Sequence, residues 1–363
     1  MNKKIIKEVK FIHIKIKMPK TAIVTFKPKQ VNKALLQSLS DRGKEIITER
    51  HGLGKNTEKR TLEAIGKKYG ITRERVRQIE KHSISTIKSS KEYKKYSHVF
   101  DELHDIIKGL GAVVSEEDLL SYLSDDKETR NHFQFLLYLD DYFNKEKEDD
   151  LFKHRWHVDP DLSSKIHESL HKLYQSLSNE ELVSEPDMIK RFLRYLEDVS
   201  DDYKKEEIAR RWLSISKKIS KNPLGEWGKA DSKNINTKGM RDYAFLVLRK
   251  QGRPIHFREV AKTIEEIFNK KAHVATTHNE LIKDPRFVLV GRGLYALKEW
   301  GYTGGVVRDV IKRILKQKGP LPADEIIKEV LKERFVRENT ILVNLQNPNH
   351  FVKDEDGLYH VVE

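Results

Sequence analysis

TLEAIGKKYGITRERVRQIEKHSISTIKSS, residues 61–90, is the stretch that decides the fold, because it predicts two helices joined by a tight turn. Thr61 can cap the first helix, since a threonine hydroxyl accepts a hydrogen bond from a backbone amide of the first turn. Gly66 carries no side chain and lets a second helix approach closely. Gly70 supplies the left-handed residue that ends the first helix. This pattern is typical of a helix-turn-helix.

The second predicted helix separates a buried face from a polar one. Thr72 can cap this helix, and its apolar residues recur at the spacing of a single helix face. Those residues are Val76, Ile79, Ile84 and Ile87.

Four side chains near the start of this helix are candidates for contacting DNA bases. Arg73 and Arg77 lie four residues apart, as do Glu74 and Gln78, so all four project on the solvent side. Arginine can bond both acceptors on a guanine edge, glutamine can pair with adenine, and glutamate can accept from a cytosine amino group. Arg75 points in another direction and is better placed for the DNA backbone. The alternative is a solvated helix on which Glu74 and Gln78 only satisfy the arginines.

These residues and the stretch before them resemble a known family. SLSDRGKEIITERHGLG (residues 38–54), TLEAIGKKYG and ITRERVRQIE are similar to region 4 of housekeeping bacterial sigma factors. The resemblance implies that residues 23–92 recognise the −35 promoter element in double-stranded DNA and pack on the flap of the RNA polymerase β subunit. Matched by position, it implies base contacts by Arg73, Glu74, Arg77 and Gln78, and backbone contacts by Thr61, Thr72 and Arg75.

The chain upstream of this segment is short. No upstream stretch resembles sigma region 2, the aromatic and basic segment that melts the −10 element. We therefore expect a promoter-binding factor rather than a complete sigma factor. Residues 1–22 predict a basic N-terminal extension, in which Met1 and Met18 are both open as the start.

The basic charge of the chain is concentrated at its N-terminal end. The whole chain of 363 residues carries a formal charge of +14. Residues 1–100 hold 26 Lys and Arg against 9 Asp and Glu, whereas residues 101–230 hold 20 against 29. A basic surface attracts a polyanion and releases its counterions. We therefore expect residues 18–95, as a separate fragment, to retain most of the DNA affinity.

Composition limits the class of protein. Hydrophobic residues make up 37% and charged residues 35% of the chain, which favours several small helical modules over one large core. The chain contains no cysteine, which excludes disulfides and thiolate metal ligands. Lysines interrupt every apolar run near the N-terminus, so we expect neither a signal peptide nor a membrane span, and a cytoplasmic, nucleoid-associated protein.

The last third of the chain contains an apparent internal repeat. Residues 240–264 and 307–331 each predict a helix, a proline-containing turn and a second helix, and Gly-Leu-Tyr follows at residues 293–295 and 357–359. Helices followed by a β-hairpin in this order are typical of a winged helix; the alternative is two unrelated helical hairpins. RPIHFREVAKTI and VGRGLYALKEWG, within residues 238–302, resemble the HARE-type winged helix-turn-helix of the RNA polymerase delta subunit N-terminal domain.

The predicted fold class is mainly α, with tandem helix-turn-helix and winged-helix modules that carry short β-hairpin wings. In the middle of the chain, helical stretches followed by KHRWHVD and NPLGEWGKAD predict two further degenerate copies. After the N-terminal extension, the predicted modules span residues 23–92, 95–160, 161–232, 238–302 and 303–363.

Two short motifs are similar to enzyme sites, and both have another interpretation. His167 and His171 belong to an H-E-x-x-H pattern, which on a helix would place two zinc ligands on one face. A zinc peptidase also needs a third ligand, so we expect an exposed helix face with both histidines in water. Gly52, Gly54 and Lys55 partly match a phosphate loop that lacks its hydroxyl residue, and we expect a bend between helices there.

These patterns predict a DNA-binding transcription initiation factor or regulator that associates with bacterial RNA polymerase, and not an enzyme. No catalytic residue, cofactor, metal or membrane partner is predicted. The winged modules are expected to add a further contact, either with a protein partner or with DNA. The alternative is a polymerase-independent chromosome-organising or defence-associated DNA-binding protein.

Overall fold

The computed structural model describes residues 24–362 except residue 197. The predicted basic extension, residues 1–22, lies outside the described residues. Within the described part of the chain, no helix is both long enough and apolar enough to cross a lipid bilayer. The described residues are mainly helical, with small antiparallel sheets, and the predicted fold class is confirmed.

The chain divides into two compact units. The first unit runs to residue 221 and includes residues 225–231. The second unit consists of residues 222–224 and the chain from residue 232 onward.

The N-terminal segment, residues 24–95, is built from helices joined by short turns. Four of its helices begin after a serine or threonine whose side chain accepts a hydrogen bond from the amide three residues later, which satisfies a donor that the helix itself leaves free. These capping residues are Ser40, Thr61, Thr72 and Ser90. The helices are α1 (Pro28–Leu35), α2 (Asp41–His51), α3 (Leu62–Tyr69), α4 (Arg73–Ser89) and α5 (Lys91–Lys95).

Two winged modules complete the first unit. In each module three helices are followed by a β-hairpin, which is called the wing. The few residues that immediately precede the second helix pair with the last strand of the wing. The first module contains α6 (Ser97–Gly109), β1 (Val113–Ser115), α7 (Glu116–Leu123), α8 (Lys127–Leu139), β2 (Asn144–Glu146) and β3 (Arg155–His157). The second module contains α9 (Pro160–Ser176), α10 (Glu185–Arg194), α11 (Glu206–Ile215), β4 (Ile219–Lys221) and β5 (Trp227–Lys229).

Two more winged modules form the second unit, and their element order and strand order agree with each other. The third module contains α12 (Met240–Gln251), β6 (Ile255–His256), α13 (Phe257–Phe268), α14 (Val274–Lys283), β7 (Phe287–Gly291) and β8 (Leu294–Leu297). The fourth module contains α15 (Val307–Lys318), β9 (Leu321–Pro322), α16 (Ala323–Glu333), α17 (Glu338–Leu345), β10 (Phe351–Lys353) and β11 (Leu358–Val361).

One cross-strand pair recurs in all four modules. An aromatic residue of the last wing strand lies opposite the apolar residue that immediately precedes the cap of the second helix. Such aromatic and apolar pairs stabilise a sheet by roughly 0.2–1 kcal/mol each, and here they attach the wing to the helices. The pairs are Trp156 with Val114, Trp227 with Val183, Tyr295 with Ile255 and Tyr359 with Leu321.

The turn of the wing explains why a short sequence signature marks the repeat. In the last three modules a glycine stands two residues before the aromatic residue, and its positive φ is a conformation that other residues rarely adopt. These glycines are Gly225, Gly293 and Gly357, with φ of 83°, 72° and 85°. The first module has His154 two residues before Trp156 and no such glycine, which is why its sequence signature is weaker.

The apolar core of the N-terminal segment continues into the first winged module. Side chains of α1, α2 and α4 belong to the same buried cluster as side chains of α6 and α8. A small separate cluster joins α2, α3 and α4. The shared cluster includes Val31, Leu35, Ile47 and Ile87 on one side, and Phe100, Leu103, Phe133 and Leu136 on the other.

The first and second winged modules are joined in the same way. Ala112 and Val113 of the first module lie in the core of the second. The indole nitrogen of Trp212 donates to the carbonyl oxygen of Gly111 at 3.1 Å. The three parts of the first unit are therefore packed in series.

A fragment of residues 24–231 should fold cooperatively, whereas a fragment of residues 24–95 should not. The short fragment would expose the apolar side of α1, α2 and α4, and burial of each large apolar side chain contributes about 1.5–3 kcal/mol. This prediction differs from the charge-based expectation that residues 18–95, as a separate fragment, retain most of the DNA affinity. Circular dichroism and thermal unfolding of both fragments provide the test, and a cooperative transition in the short fragment would contradict it.

Candidate nucleic-acid interface

The helix-turn-helix predicted from residues 61–90 is present as α3, a turn and α4. The Thr61 hydroxyl accepts from the amide of Ala64 and the Thr72 hydroxyl accepts from the amide of Arg75, each at 3.1 Å. A hydroxyl that accepts one hydrogen bond still has its own proton to donate. Both threonines are exposed, so each can cap its helix and donate to a phosphate oxygen at the same time.

Close packing fixes the angle between α3 and α4. A methyl group added at Gly66 would lie 2.6 Å from the carbonyl oxygen of Ile71, so a larger residue would force the turn away from α3. Ile65 and Val76 are fully buried between the two helices, together with Ile46 of α2. The exposed face of α4 is thus held on a rigid support.

The four predicted base-contacting side chains are brought together at the exposed start of α4. Arg77 donates to both carboxylate oxygens of Glu74, at 2.8 and 2.6 Å. Arg75 donates to the side-chain oxygen of Gln78 at 3.1 Å. Arg73 is exposed beside them. In the free protein, much of the hydrogen-bonding capacity of this face is therefore used within the helix. A solvated helix on which Glu74 and Gln78 only satisfy the arginines would show the same contacts.

These contacts are of the kind that DNA can replace. The bond from Arg77 lowers the pKa of the Glu74 carboxyl, so the carboxylate stays charged. Both side chains are more than half exposed, and exposed ion pairs contribute about 0–1 kcal/mol. Breaking the pair between Glu74 and Arg77, so that either side chain takes another partner, would therefore cost little.

A buried polar contact behind this face was missed in the sequence. Glu80 of α4 lies 3.4 Å from the side-chain nitrogen of Arg50 and 3.5 Å from that of His51. Burial acts to raise the pKa of Glu80, but these two neighbours outweigh it and the pKa is lowered. The His51 ring lies 4.8 Å from Phe135 and 5.2 Å from Tyr138, both on α8. Glu80 thus links α4 to α2, and the His51 ring links α2 to α8 of the first winged module.

The motifs that are similar to enzyme sites have structural roles. Residues 52–61 form the bend between α2 and α3, as expected. His171 is exposed and contacts Gln175, but His167 is not in water as expected: it accepts from Arg155 at 2.8 Å and stacks on Phe152 at 4.4 Å. Among residues 24–362, leaving out residue 197, no three His, Asp or Glu side chains are grouped as metal ligands would be.

Comparison with known proteins identifies the segment that carries this interface. Residues 35–89 match the family described as sigma-70, region 4. The region 4 segment, as these residues are called below, is homologous to principal sigma factors. RNA polymerase principal sigma factor HrdD of Streptomyces griseus is 40% identical over 70 residues, which are 19% of this chain and 21% of HrdD. RNA polymerase sigma factor RpoD of Helicobacter pylori (strain ATCC 700392 / 26695) is 46% identical over 56 residues, which are 15% of this chain and 8% of RpoD.

The chain therefore spans about a fifth, or less, of the length of these curated relatives. The match covers α2, α3 and α4, and it includes Thr61, Thr72 and the exposed start of α4. The winged modules lie beyond the matched residues.

Glu74→Ala should increase the affinity for random-sequence duplex DNA by a factor of about two to five, because it removes an exposed negative charge facing a polyanion. Selectivity for a specific site over random DNA should fall, since Arg77 would no longer have Glu74 as its partner when it is not bound to a base. Fluorescence anisotropy at moderate salt measures both quantities. Glu168→Ala is the matched control, because Glu168 is also exposed and paired within its helix, with Lys172. Equal effects of Glu74→Ala and Glu168→Ala would contradict the prediction that the start of α4 faces DNA.

His167 should make part of the stability depend on pH. Burial, aided by the positive charge of Arg155, lowers the pKa of His167 from 6.5 to about 4. Between these pH values the unfolded chain binds a proton that the folded chain does not, so the free energy of unfolding falls as the pH falls. His167→Gln should weaken this dependence, whereas His171→Gln should not. Thermal unfolding across that pH range tests this, and identical curves for both variants would refute it.

Proposed function

We propose that this protein is a DNA-binding transcription initiation factor or regulator that recognises a −35-like promoter element and associates with bacterial RNA polymerase. The observation that carries the proposal is the match of residues 35–89 to sigma-70 region 4, together with the exposed polar start of α4 within the match. The local excess of Lys and Arg before residue 100 supports a polyanionic partner.

In this proposal α4 enters the major groove with its N-terminal end towards the bases. Arg73, Arg77, Glu74 and Gln78 contact base edges, which differ in their donors and acceptors. Arg75, with Thr61 and Thr72, contacts phosphates and sets the register of the helix on the duplex. The two threonines lie at helix N-termini, where the backbone amides also favour an anion.

Polymerase association is proposed from the similarity to principal sigma factors. In this chain the apolar side of the region 4 segment is already covered by the first winged module. Leu35 and Ile47 are fully buried there and are not available to the β flap. We therefore expect the polymerase to contact the polar, exposed surface of α1 and α2.

The winged modules are proposed to add contacts rather than chemistry. The third module, with RPIHFREVAKTI and VGRGLYALKEWG, resembles the HARE-type domain of the polymerase delta subunit, which favours a protein partner in the transcription apparatus. If such a contact tethers the protein, it increases occupancy of the promoter through effective concentration.

The DNA part of the proposal is tested on a site selected from a random-sequence duplex library. Arg77→Ala should cost about 1–3 kcal/mol at one base pair and relax selectivity there, whereas Arg75→Ala should weaken all sequences alike. Arg253→Ala is the matched control, since Arg253 is an exposed arginine paired with Glu259 in the second unit. Equal losses on selected and random DNA for Arg77→Ala would exclude base contact.

The polymerase part is tested separately by co-purification of the tagged full chain with RNA polymerase, after nuclease treatment to remove DNA bridges. Retention of the polymerase is expected. Sequence-selective DNA binding without polymerase would instead favour the polymerase-independent DNA-binding protein.

A further inference from the structure

Asn131 connects the first winged module to the bend of the region 4 segment. Its buried side chain, on α8, donates to the carbonyl oxygen of Gly52 at 3.1 Å and to that of Thr57 at 2.9 Å. These two carbonyl groups lie at the start and in the middle of the connection between α2 and α3. One amide group therefore holds two positions of this connection together.

Gly52 is closely packed against Thr57 and Asn131, with no room for a side chain. A methyl group at Gly52 would lie 2.6 Å from the carbonyl oxygen of Thr57 and 2.7 Å from the side-chain nitrogen of Asn131. The next residue, Leu53, is buried in the cluster that α8 shares with the region 4 segment. Gly52 and Leu53, at the beginning of the connection, are thus fixed in place against α8.

Two other side chains of α8 hold the rest of the connection. Lys127 donates to the Glu58 carboxylate at 2.6 Å, and Gln134 accepts from the ammonium group of Lys59. Residues 127, 131 and 134 are four and three positions apart, so they lie on one face of the helix. This face of α8 therefore contacts the connection at several points between residues 52 and 59.

The far end of the connection leads into the predicted DNA contacts. The Arg50 side chain donates to the carbonyl oxygen of Arg60 at 3.0 Å, and the Arg60 amide donates to the carbonyl oxygen of Glu49 at 3.0 Å. Thr61, which caps α3, follows immediately. Lys55 and Arg60 are exposed cations on the same connection, which brings positive charge next to the N-terminus of α3.

We propose that Asn131 is a positioning residue for DNA binding, through which the first winged module holds residues 52–60 and so places Thr61, Lys55 and Arg60 for contact with the phosphate backbone. The proposal rests on the proposed function. It makes the first winged module part of the DNA-binding unit, although its own residues need not touch DNA. Without the amide, the connection would have to be ordered when DNA binds, at a cost to affinity.

The test uses the full chain carrying Asn131→Ala, with Asn32→Ala as the matched control. Asn32 is also a buried amide in the contact between α1 and α8, where it donates to the carbonyl oxygen of His132 at 2.9 Å. Its removal perturbs the same packing but leaves residues 52–60 untouched. Gln134→Ala is a milder second variant, which removes only the partner of Lys59.

DNA affinity is measured on a selected duplex as a function of salt, well below the melting temperature of each variant, with hydrogen–deuterium exchange of residues 52–60. Asn131→Ala should weaken binding by roughly tenfold and reduce the salt slope by about one phosphate contact. Exchange at residues 52–60 should become faster. Gln134→Ala should produce the same changes to a smaller extent, and Asn32→Ala should lower the melting temperature with affinity and salt slope unchanged.

Unchanged affinity and salt slope in a folded Asn131→Ala chain would overturn the proposal, as would equal losses for Asn131→Ala and Asn32→Ala. If Asn131→Ala does not fold, Gln134→Ala decides the question by the same two measurements. Failure of the wild-type chain to select any sequence would instead contradict the proposed function. Exchange at residues 52–60 would still report whether Asn131 holds the connection in that case.

Discussion

The packing of α8 across α1 and α2 is the contact on which the rest of the first unit depends. Phe133 and Leu136 fill the apolar side of the N-terminal segment, and Asn32 of α1 donates to the carbonyl oxygen of His132 within the same contact. Because the interior of α1 and α2 is completed by another module, the geometry of α4 is not a property of the region 4 segment alone. A helix-turn-helix that would be small and marginal in isolation is stabilised by a neighbour with a much larger core.

Buried and exposed polar contacts of α4 have opposite consequences. Glu80 lies beside Arg50 and His51, and the His51 ring packs on Phe135 of α8; loss of a partner there would leave a buried charge unpaired. Such a contact fixes one position of the helix. Glu74 and Arg77 on the other face are bonded to each other in water, where a partner can be exchanged at small cost. The helix is therefore held firmly on the side that sets its position and loosely on the side proposed to contact DNA.

The elements that the sequence predicted are those encoded by neighbouring residues. Thr61 and Thr72 cap the helices that follow them, and Gly66 allows the close approach, so α3 and α4 could be derived locally. The repeat in the last third was visible because its turn needs a glycine before the aromatic residue. The contacts of Asn131 with residue 52 could not be derived, since 79 positions separate them and neither residue type is diagnostic. His167 was misplaced for the same reason, as its partner Arg155 lies in another module.

The four winged modules share one topology, but their third helices are used differently. α8 packs on the N-terminal segment, and α11 packs on the first winged module through Trp212. Both helices therefore form contacts that hold the first unit together. The third helices of the second unit retain exposed apolar residues, among them Val274 and Ile282 on α14 and Val343 on α17. A repeated fold therefore does not assign a repeated role. Whether a third helix is a structural support or an exposed surface therefore follows from packing and not from topology.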